Sequence, residues 1–324
     1  MSETPPLRWG ILGTAQINQK IIPLLKQSQV STLSGISSRD ADRAREYANK
    51  WEIPTAYAGY EALVNDPTIQ VIYNSLPNHL HFEWSLKALQ RGKHVLCEKP
   101  LTIESAQIPI LQAEAIKNGV VLAEGLMYQH HAQTSEIIKI VAGLSLGKLK
   151  HIRAHFHSVL PLNDRIRLHP ELGGGVHWDI GCYLVNLIQL IANETPKSIL
   201  SWARKGENGE IEALSASLGF PSGVTSNLEC SFYGPRKEGL DLVFEDGWMS
   251  VARPFKPTEK EEIQVVLNRN PRTITIEDPM SPYAREIADF EGAVLSGLQP
   301  RISLNESYRT IQTIERIALG AQYF

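Results

Sequence analysis

Over residues 7–124 short apolar runs alternate with longer stretches of helical spacing, a pattern that demands a mostly parallel sheet covered by helices. The expected strands are residues 8–12, 32–37, 70–75, 94–97 and 120–123. The expected helices between them are 17–25, 40–51, 79–91 and 103–118. Gly92 and Gly119 each follow a helix end, where a left-handed residue is favoured. Such a doubly wound α/β domain binds ligands at the carboxyl ends of its strands.

After Glu124 the pattern changes. A helical stretch at 133–141 leads into strand-like runs at 150–159, 198–205, 212–220, 224–232, 240–244, 248–253, 262–267 and 273–276. Pro221-Ser222-Gly223 and Asp246-Gly247 supply hairpin turns. This predicts an α+β domain on one large, mainly antiparallel open sheet, with helices at 179–192, 281–295 and 304–319. A length of 324 residues suits two domains: 1–124 for nucleotide binding, and 125–324 for substrate binding and oligomerisation. The 304–319 helix is available to pack back on the first domain.

Charge narrows the partners. The 32 Lys and Arg against 35 Asp and Glu leave 32 − 35 = −3, with no basic surplus for nucleic acid or an anionic membrane. With 43% hydrophobic and 21% charged residues, disordered and fibrous classes drop out. A small-molecule partner is expected. Cys97, Cys182 and Cys230 are too scattered for a disulfide framework or a CxxC site. The opening Met1-Ser2-Glu3-Thr4-Pro5-Pro6 lacks a signal-peptide pattern and no run of 18 apolar residues occurs, so the expected location is the cytoplasm.

Gly13-Thr14-Ala15-Gln16-Ile17 follows the first strand, where backbone N–H groups and a helix start can hold a pyrophosphate. The G-x-G-x-x-G fingerprint is reduced here to Gly13-x-Ala15-x-x-Asn18, so position carries more weight than the motif. At the end of the second strand stand Ser37-Ser38-Arg39 rather than a carboxylate. Two hydroxyls and a guanidinium suit a ribose 2′-phosphate, which points to NADP(H) over NAD(H). The competing structural role is helix capping by Ser38 or Asp40, with Arg39 a solvated charge.

Gly10-Ile11-Leu12-Gly13, Leu76-Pro77-Asn78-His79-Leu80-His81, Gly92-Lys93-His94-Val95-Leu96-Cys97-Glu98-Lys99-Pro100 and Gly173-Gly174-Gly175-Val176-His177-Trp178-Asp179-Ile180-Gly181-Cys182-Tyr183 occur in that order. Together they resemble the glucose-fructose oxidoreductase / inositol dehydrogenase / MocA (Gfo/Idh/MocA) family over nearly the whole chain. The resemblance implies an N-terminal Rossmann domain, a C-terminal α/β domain with an open antiparallel sheet, and hydride transfer between nicotinamide and a sugar, polyol or related alcohol. It also implies that Lys99 is the active-site lysine, that Lys99-Pro100 is cis, and that Asn74, Leu76, Pro77, Asn78, His81, Glu98 and Lys99 lie on the cofactor. Many members carry histidine where this chain has Tyr183; the aldose, glucose-fructose and dihydrodiol dehydrogenase branches resemble it in having tyrosine.

The chemistry of these residues agrees with the resemblance. An ammonium such as Lys99 can donate to a reacting oxygen and favour a neighbouring phenolate, bringing a tyrosine down from its usual value near 10. On an unbroken helix Asp179 and Tyr183, four apart, share a face. The expected mechanism has Tyr183 relay the hydroxyl proton, Lys99 stabilise the developing oxygen charge, and Asp179 orient substrate hydroxyls.

Other residues are less specific. His79 and His81 are two apart, the wrong relation for joint ligation on a helix, so no metal is expected. His151, Arg153, His155 and His157 alternate onto one sheet face; three histidines there could bind a metal, but without a ligating Cys or carboxylate at a metal-like spacing they read as a polar, partly covered surface or a subunit contact. His130-His131 replaces a stretch that more often contains Arg in related sugar dehydrogenases, which leaves the substrate open. Arg165, Arg167 and His169 precede the glycine run and either reach the site from a loop, with Arg167 a candidate substrate contact, or are solvated loop charges. The competing functions are a non-catalytic NADP(H)-binding sensor, for which Lys99, Asp179 and Tyr183 would be superfluous, and an NAD-assisted glycoside hydrolase. An open sheet face needs covering, so a homodimer or homotetramer is expected.

Overall fold

The computed structural model describes residues 5–160 and 166–324; Arg165 and the start of the N-terminal segment lie outside them. Their contacts divide the chain into two compact units: Met1–Thr102, Ala106–Leu126 and Tyr283–Asn305 in one, and Ile103–Ser105, Met127–Pro282 and Glu306–Phe324 in the other. Tyr283–Asn305 groups with the first unit, and Glu306–Phe324 groups with the second together with Ile103–Ser105, whose Ser105 N–H donates to Glu315 Oε1 at 2.9 Å.

The first unit runs β1 (Leu7–Leu12), α1 (Asn18–Gln27), β2 (Ser31–Ser38), α2 (Ala41–Trp51), β3 (Thr55–Ala58), α3 (Tyr60–Asn65), β4 (Val71–Asn74), α4 (His81–Gln90), β5 (His94–Glu98), α5 (Gln107–Asn118) and β6 (Leu122–Gly125). The strands form a six-stranded parallel sheet in the order β3-β2-β1-β4-β5-β6. The order reverses between β1 and β4, which sets the turn after β1 beside the loop after β4. Ile21, Ile22 and Leu25 bury one stripe of α1 completely against the sheet core, each worth roughly 1.5–3 kcal/mol. Trp9 meets Phe290 edge-to-face at 5.4 Å and donates from Nε1 to Ser31 Oγ at 2.8 Å. Neither β3 nor α3 is expected from sequence: β3 is a four-residue edge strand without alternation of burial, and α3 has only six residues.

The second unit continues with α6 (Ala132–Ala142), β7 (Leu149–His157), α7 (Val176–Asp179), α8 (Gly181–Ala192), β8 (Ser198–Lys205), β9 (Ile211–Gly219), β10 (Thr225–Ser231), β11 (Lys237–Phe244), β12 (Gly247–Val251), β13 (Lys260–Leu267) and β14 (Asn270–Glu277). Helix α9 (Pro282–Ser296) follows, most of it in the first unit; α10 (Leu304–Leu319) and β15 (Ala321–Tyr323) close the chain. The nine-stranded sheet has the order β14-β13-β12-β11-β7-β10-β9-β8-β15, antiparallel except where β10 joins β7 and β15 joins β8. Both expected turns form, Gly223 adopting φ 89° between β9 and β10. The β13–β14 turn has Asn268 and Arg269 at φ 49° and 68° with no glycine, which hides it from a composition-based reading. On β7, Ile152, Ala154 and Phe156 are buried while His151, Arg153, His155 and His157 take the opposite face. Among the described residues no helix is long and apolar enough to cross a membrane.

Candidate active site

Gly13 has φ 86°, which favours glycine, and a Cβ there would press on Leu76 Cδ2 of the β4 loop at 3.0 Å. Its N–H donates to Ser37 O at 3.0 Å, and its carbonyl accepts from Asn18 Nδ2 at 2.9 Å. Asn18 Oδ1 is buried without a hydrogen-bond partner, and α1 starts with no side-chain cap. The turn leads straight into α1, whose first backbone N–H groups meet no capping side chain, an arrangement that fits a pyrophosphate. Thr14, Ala15 and Ile17 are half-buried in this turn and Gln16 is exposed.

At the end of β2 the capping role falls to Asp40: its Oδ1 accepts from Asp42 N at 2.9 Å and Arg43 N at 3.2 Å. Ser38 Oγ accepts from Asp40 N at 3.2 Å, and Ser37 Oγ donates to Ile11 O at 3.3 Å. With the Asp40 carboxylate turned to α2, exposed Arg39 is the cation next to the two serines. Ser37 is fully buried with its hydroxyl committed to Ile11 O, so Ser38 and Arg39 are the members of the expected set left to meet an adenosine 2′-phosphate.

The loop carrying Glu98, Lys99 and Pro100 leaves β5 at the carboxyl edge of the sheet, and its Lys99-Pro100 bond is cis, as the resemblance implies. Buried groups fix it on three sides. Tyr73 donates to Glu98 Oε1 at 2.5 Å, and burial first, then the Glu98 charge, raises the Tyr73 phenol well above its usual value, so it stays a donor. Glu124 Oε1 accepts from Leu101 N at 2.8 Å. His81 sets Nδ1 2.7 Å from Pro100 O and Nε2 2.7 Å from Leu76 O. A neutral ring has one N–H and serves one of these carbonyls at a time. Burial outweighs the carbonyl contacts, which favour the charged form, and pushes the His81 value down to about 4. His81 is therefore buried within its own unit, and both ring nitrogens face backbone carbonyls. Asn74 donates to His81 O and Ser85 Oγ and accepts from Leu76 N, while Pro77 and Asn78 are half-buried in the same loop.

In the second unit, the expected helix 179–192 is interrupted. Asp179 ends α7, and Ile180, at φ −116° and ψ −23°, separates it from α8. Asp179 and Tyr183 thus lack the continuous i,i+4 register expected of them, because the chain turns where α8 begins. Asp179 Oδ2 instead pairs with Arg167 Nε at 3.0 Å. The glycine run explains how Arg167 arrives: a Cβ on Gly174 would lie 2.6–2.7 Å from the carbonyl oxygens of Ile166, Arg167 and His169. Only glycine lets that loop wrap so closely, and Gly175 N donates back to Arg167 O at 2.8 Å.

Tyr183 is 4% exposed, its ring centroid 5.9 Å from Tyr128, 6.2 Å from Phe156 and 6.0 Å from Phe255. Lys256 Nζ donates to its hydroxyl oxygen at 3.2 Å. No motif announces Lys256; it sits in Arg253-Pro254-Phe255-Lys256-Pro257, which reads as an ordinary loop. His177 lies beside Gly175 and against Trp178 at 5.0 Å, with Nδ1 unpartnered, and burial lowers its value to about 3. His130 is half-buried. On the open sheet face His151 and His157 bond Thr225 Oγ1 and Ser231 Oγ, each at 2.8 Å.

Residues 7–126 match the oxidoreductase family with an NAD-binding Rossmann fold, Gfo/Idh/MocA, and residues 134–250 match the GFO/IDH/MocA C-terminal domain. D-xylose 1-dehydrogenase (NADP(+)) 2 of Haloferax volcanii is 34% identical over 98% of both chains. The chain belongs to the Gfo/Idh/MocA oxidoreductase family. Among other relatives of this family, trans-1,2-dihydrobenzene-1,2-diol dehydrogenase of Bos taurus is 29% identical over 78% of this chain and 76% of its own. A 3-ketoreductase from Actinomadura kijaniata, solved with NADP and TDP-benzene, superposes with a TM-score of 0.93 at 27% identity, covering 98% of this chain and 99% of that one. The Gfo/Idh/MocA assignment agrees with the parallel nucleotide-binding sheet and the large, mostly antiparallel second sheet.

Proposed function

We propose that this oxidoreductase uses NADP(H) and moves a hydride between nicotinamide and a CH–OH or C=O carbon of a sugar, cyclic polyol or dihydrodiol. The observation that carries the reading is the fixing of the Glu98-Lys99-Pro100 loop at the carboxyl edge of the parallel sheet by Tyr73, Glu124 and His81. Three buried contacts hold an ammonium-bearing loop where a doubly wound sheet presents its ligand. A protein that only sensed the nucleotide would have no use for that lysine. Ser38 and exposed Arg39 support the 2′-phosphate, and the named relatives support the substrate class.

The nicotinamide supplies the hydride acceptor or donor. Lys99 donates to the reacting oxygen as its charge grows, Tyr183 takes the hydroxyl proton in oxidation and returns it in reduction, and Asp179, held by Arg167, orients neighbouring hydroxyls. Gly13 to Ile17 receive the pyrophosphate; Asn74, Leu76, Pro77, Asn78 and Glu98 line the nicotinamide half, with His81 supporting the loop. Leu200, Trp202, Val243 and Trp248 stand 40–63% exposed on the open sheet face, which supports a homodimer or homotetramer. Three free, buried cysteines suit the cytoplasm.

The deciding experiment is NADP+ and NAD+ reduction with D-xylose and other aldoses, inositols and trans-dihydrodiols, with carbonyl reduction run in reverse. Turnover with NADP+ on one of these classes, abolished by Lys99→Met, is expected. Tight NADPH binding with no turnover in either direction would make the protein a sensor instead.

A further inference from the structure

We propose that Lys256 is a positioning residue for Tyr183: its ammonium holds the phenol hydroxyl in one orientation and favours departure of the proton that Tyr183 relays. The inference rests on the reading of Tyr183 as the relay. Its geometric basis is the 3.2 Å contact from Nζ to the hydroxyl oxygen, with Nζ 4.9 Å from the ring centroid.

The lysine does not hang on a free loop. Glu238, 8% exposed, accepts the backbone N–H of Phe255 at 2.9 Å and of Lys256 at 3.2 Å on one carboxylate oxygen, and the Arg236 side chain on the other. Phe255 is fully buried and stacks on Phe156 at 5.5 Å with an interplanar angle of 2°. Gln133 Nε2 reaches Arg253 O at 2.9 Å. The backbone leading into Lys256 is therefore set before substrate arrives, which limits the entropy lost in aiming its side chain.

Lys256 puts a cation on the Tyr183 hydroxyl, and the other groups packed around the ring in this unit are engaged elsewhere or apolar. Tyr128 faces the ring but gives its own hydroxyl to Asn186. Arg236 lies over Phe156 and is paired with Glu238, and Asp179, before α8, is paired with Arg167. Phe156 and Phe255 add only apolar walls. In oxidation the substrate hydroxyl gives its proton to the phenolate oxygen while the hydride leaves for the nicotinamide. An adjacent ammonium stabilises that phenolate, and its removal should be felt most at low pH.

The test compares wild type with Lys256→Met, Lys256→Arg and Tyr183→Phe, using the best substrate from the screen. For Lys256→Met, kcat for oxidation at pH 7 should fall about tenfold, with the acid limb of its pH profile moving up by about one unit. KM and NADPH affinity should stay within about twofold, and Lys256→Arg should restore the profile. Ultraviolet titration of the phenol, with Tyr183→Phe as the subtraction, should show the same displacement without turnover. Lys256→Gln, which keeps a donor but no charge, replaces the methionine variant if that one fails to fold. A rate loss with neither limb nor phenol titration displaced would overturn the proposal, as would an unchanged rate. Full turnover in Tyr183→Phe would instead overturn the relay beneath it.

Discussion

His81 Nδ1 lies 2.7 Å from the carbonyl oxygen of Pro100, while Nε2 of the same ring is equally close to Leu76 O. One buried side chain thus ties the loop after β4 to the loop after β5. His81→Ala would remove the single N–H that these two carbonyls share in a dry space, a loss of about 1–3 kcal/mol. The expected result is a lower melting temperature together with weaker NADPH binding, measured by calorimetry and by fluorescence titration. Unchanged binding would show that the tie is not needed for the cofactor.

Acid should destabilise the protein in a defined window. His81 and His177 titrate near 4 and 3 in the folded state, against an ordinary 6.5, because burial disfavours their charged forms. Above pH 6.5 both are neutral, folded or unfolded, and contribute no pH dependence. As pH falls below 6.5 the unfolded chain binds their protons first, so stability drops until the folded values are reached. Each histidine adds up to roughly 1.4 kcal/mol per pH unit over that range. Denaturant melts between pH 7 and 5 should show the slope, and His177→Phe should remove part of it.

Arg39→Ala should separate the two nicotinamide cofactors. Loss of one charge-assisted contact to a 2′-phosphate is worth about 1.5–3 kcal/mol, or roughly 10- to 100-fold in NADP+ affinity. NAD+ affinity should hardly move. Equal weakening of both would reassign Arg39 to the surface.

Gly174→Ala would push a methyl group against three backbone oxygens at 2.6–2.7 Å, and none belongs to a flexible side-chain end. The loop 166–169 must shift, at a cost of roughly 1–3 kcal/mol, and Arg167 leaves Asp179. The variant should melt earlier and show a raised KM for the substrate with NADPH affinity intact. Asp179→Asn should reproduce the KM effect without the loss of stability.

Much of the first sheet is legible in one dimension because buried parallel strands are continuous apolar runs; 94–97 and 8–12 fall within one residue of β5 and β1. The elements that escape are those whose residues carry no burial rhythm, such as β3, or whose turn forms without glycine, as at Asn268 and Arg269. Helix α8 is legible but its start is not: the break at Ile180 precedes Gly181, and a single glycine beside a helical pattern does not by itself mark a helix end. Candidate residues within a motif, such as Lys99 and Tyr183, stand out by their neighbours in sequence. Lys256 and Glu238 have no such neighbours.

The sequence by itself determined the class of fold, the family and the near-neutral surface that suits a small ligand, because periodicity, motif order and charge are local properties that survive in one dimension. Only the tertiary structure decided that His81 braces two loops, that Arg167 belongs to Asp179, and that Lys256 meets Tyr183. Those pairs lie 19, 12 and 73 positions apart. A contact between side chains so distant along the chain exists only once backbone hydrogen bonding and burial have chosen which faces meet.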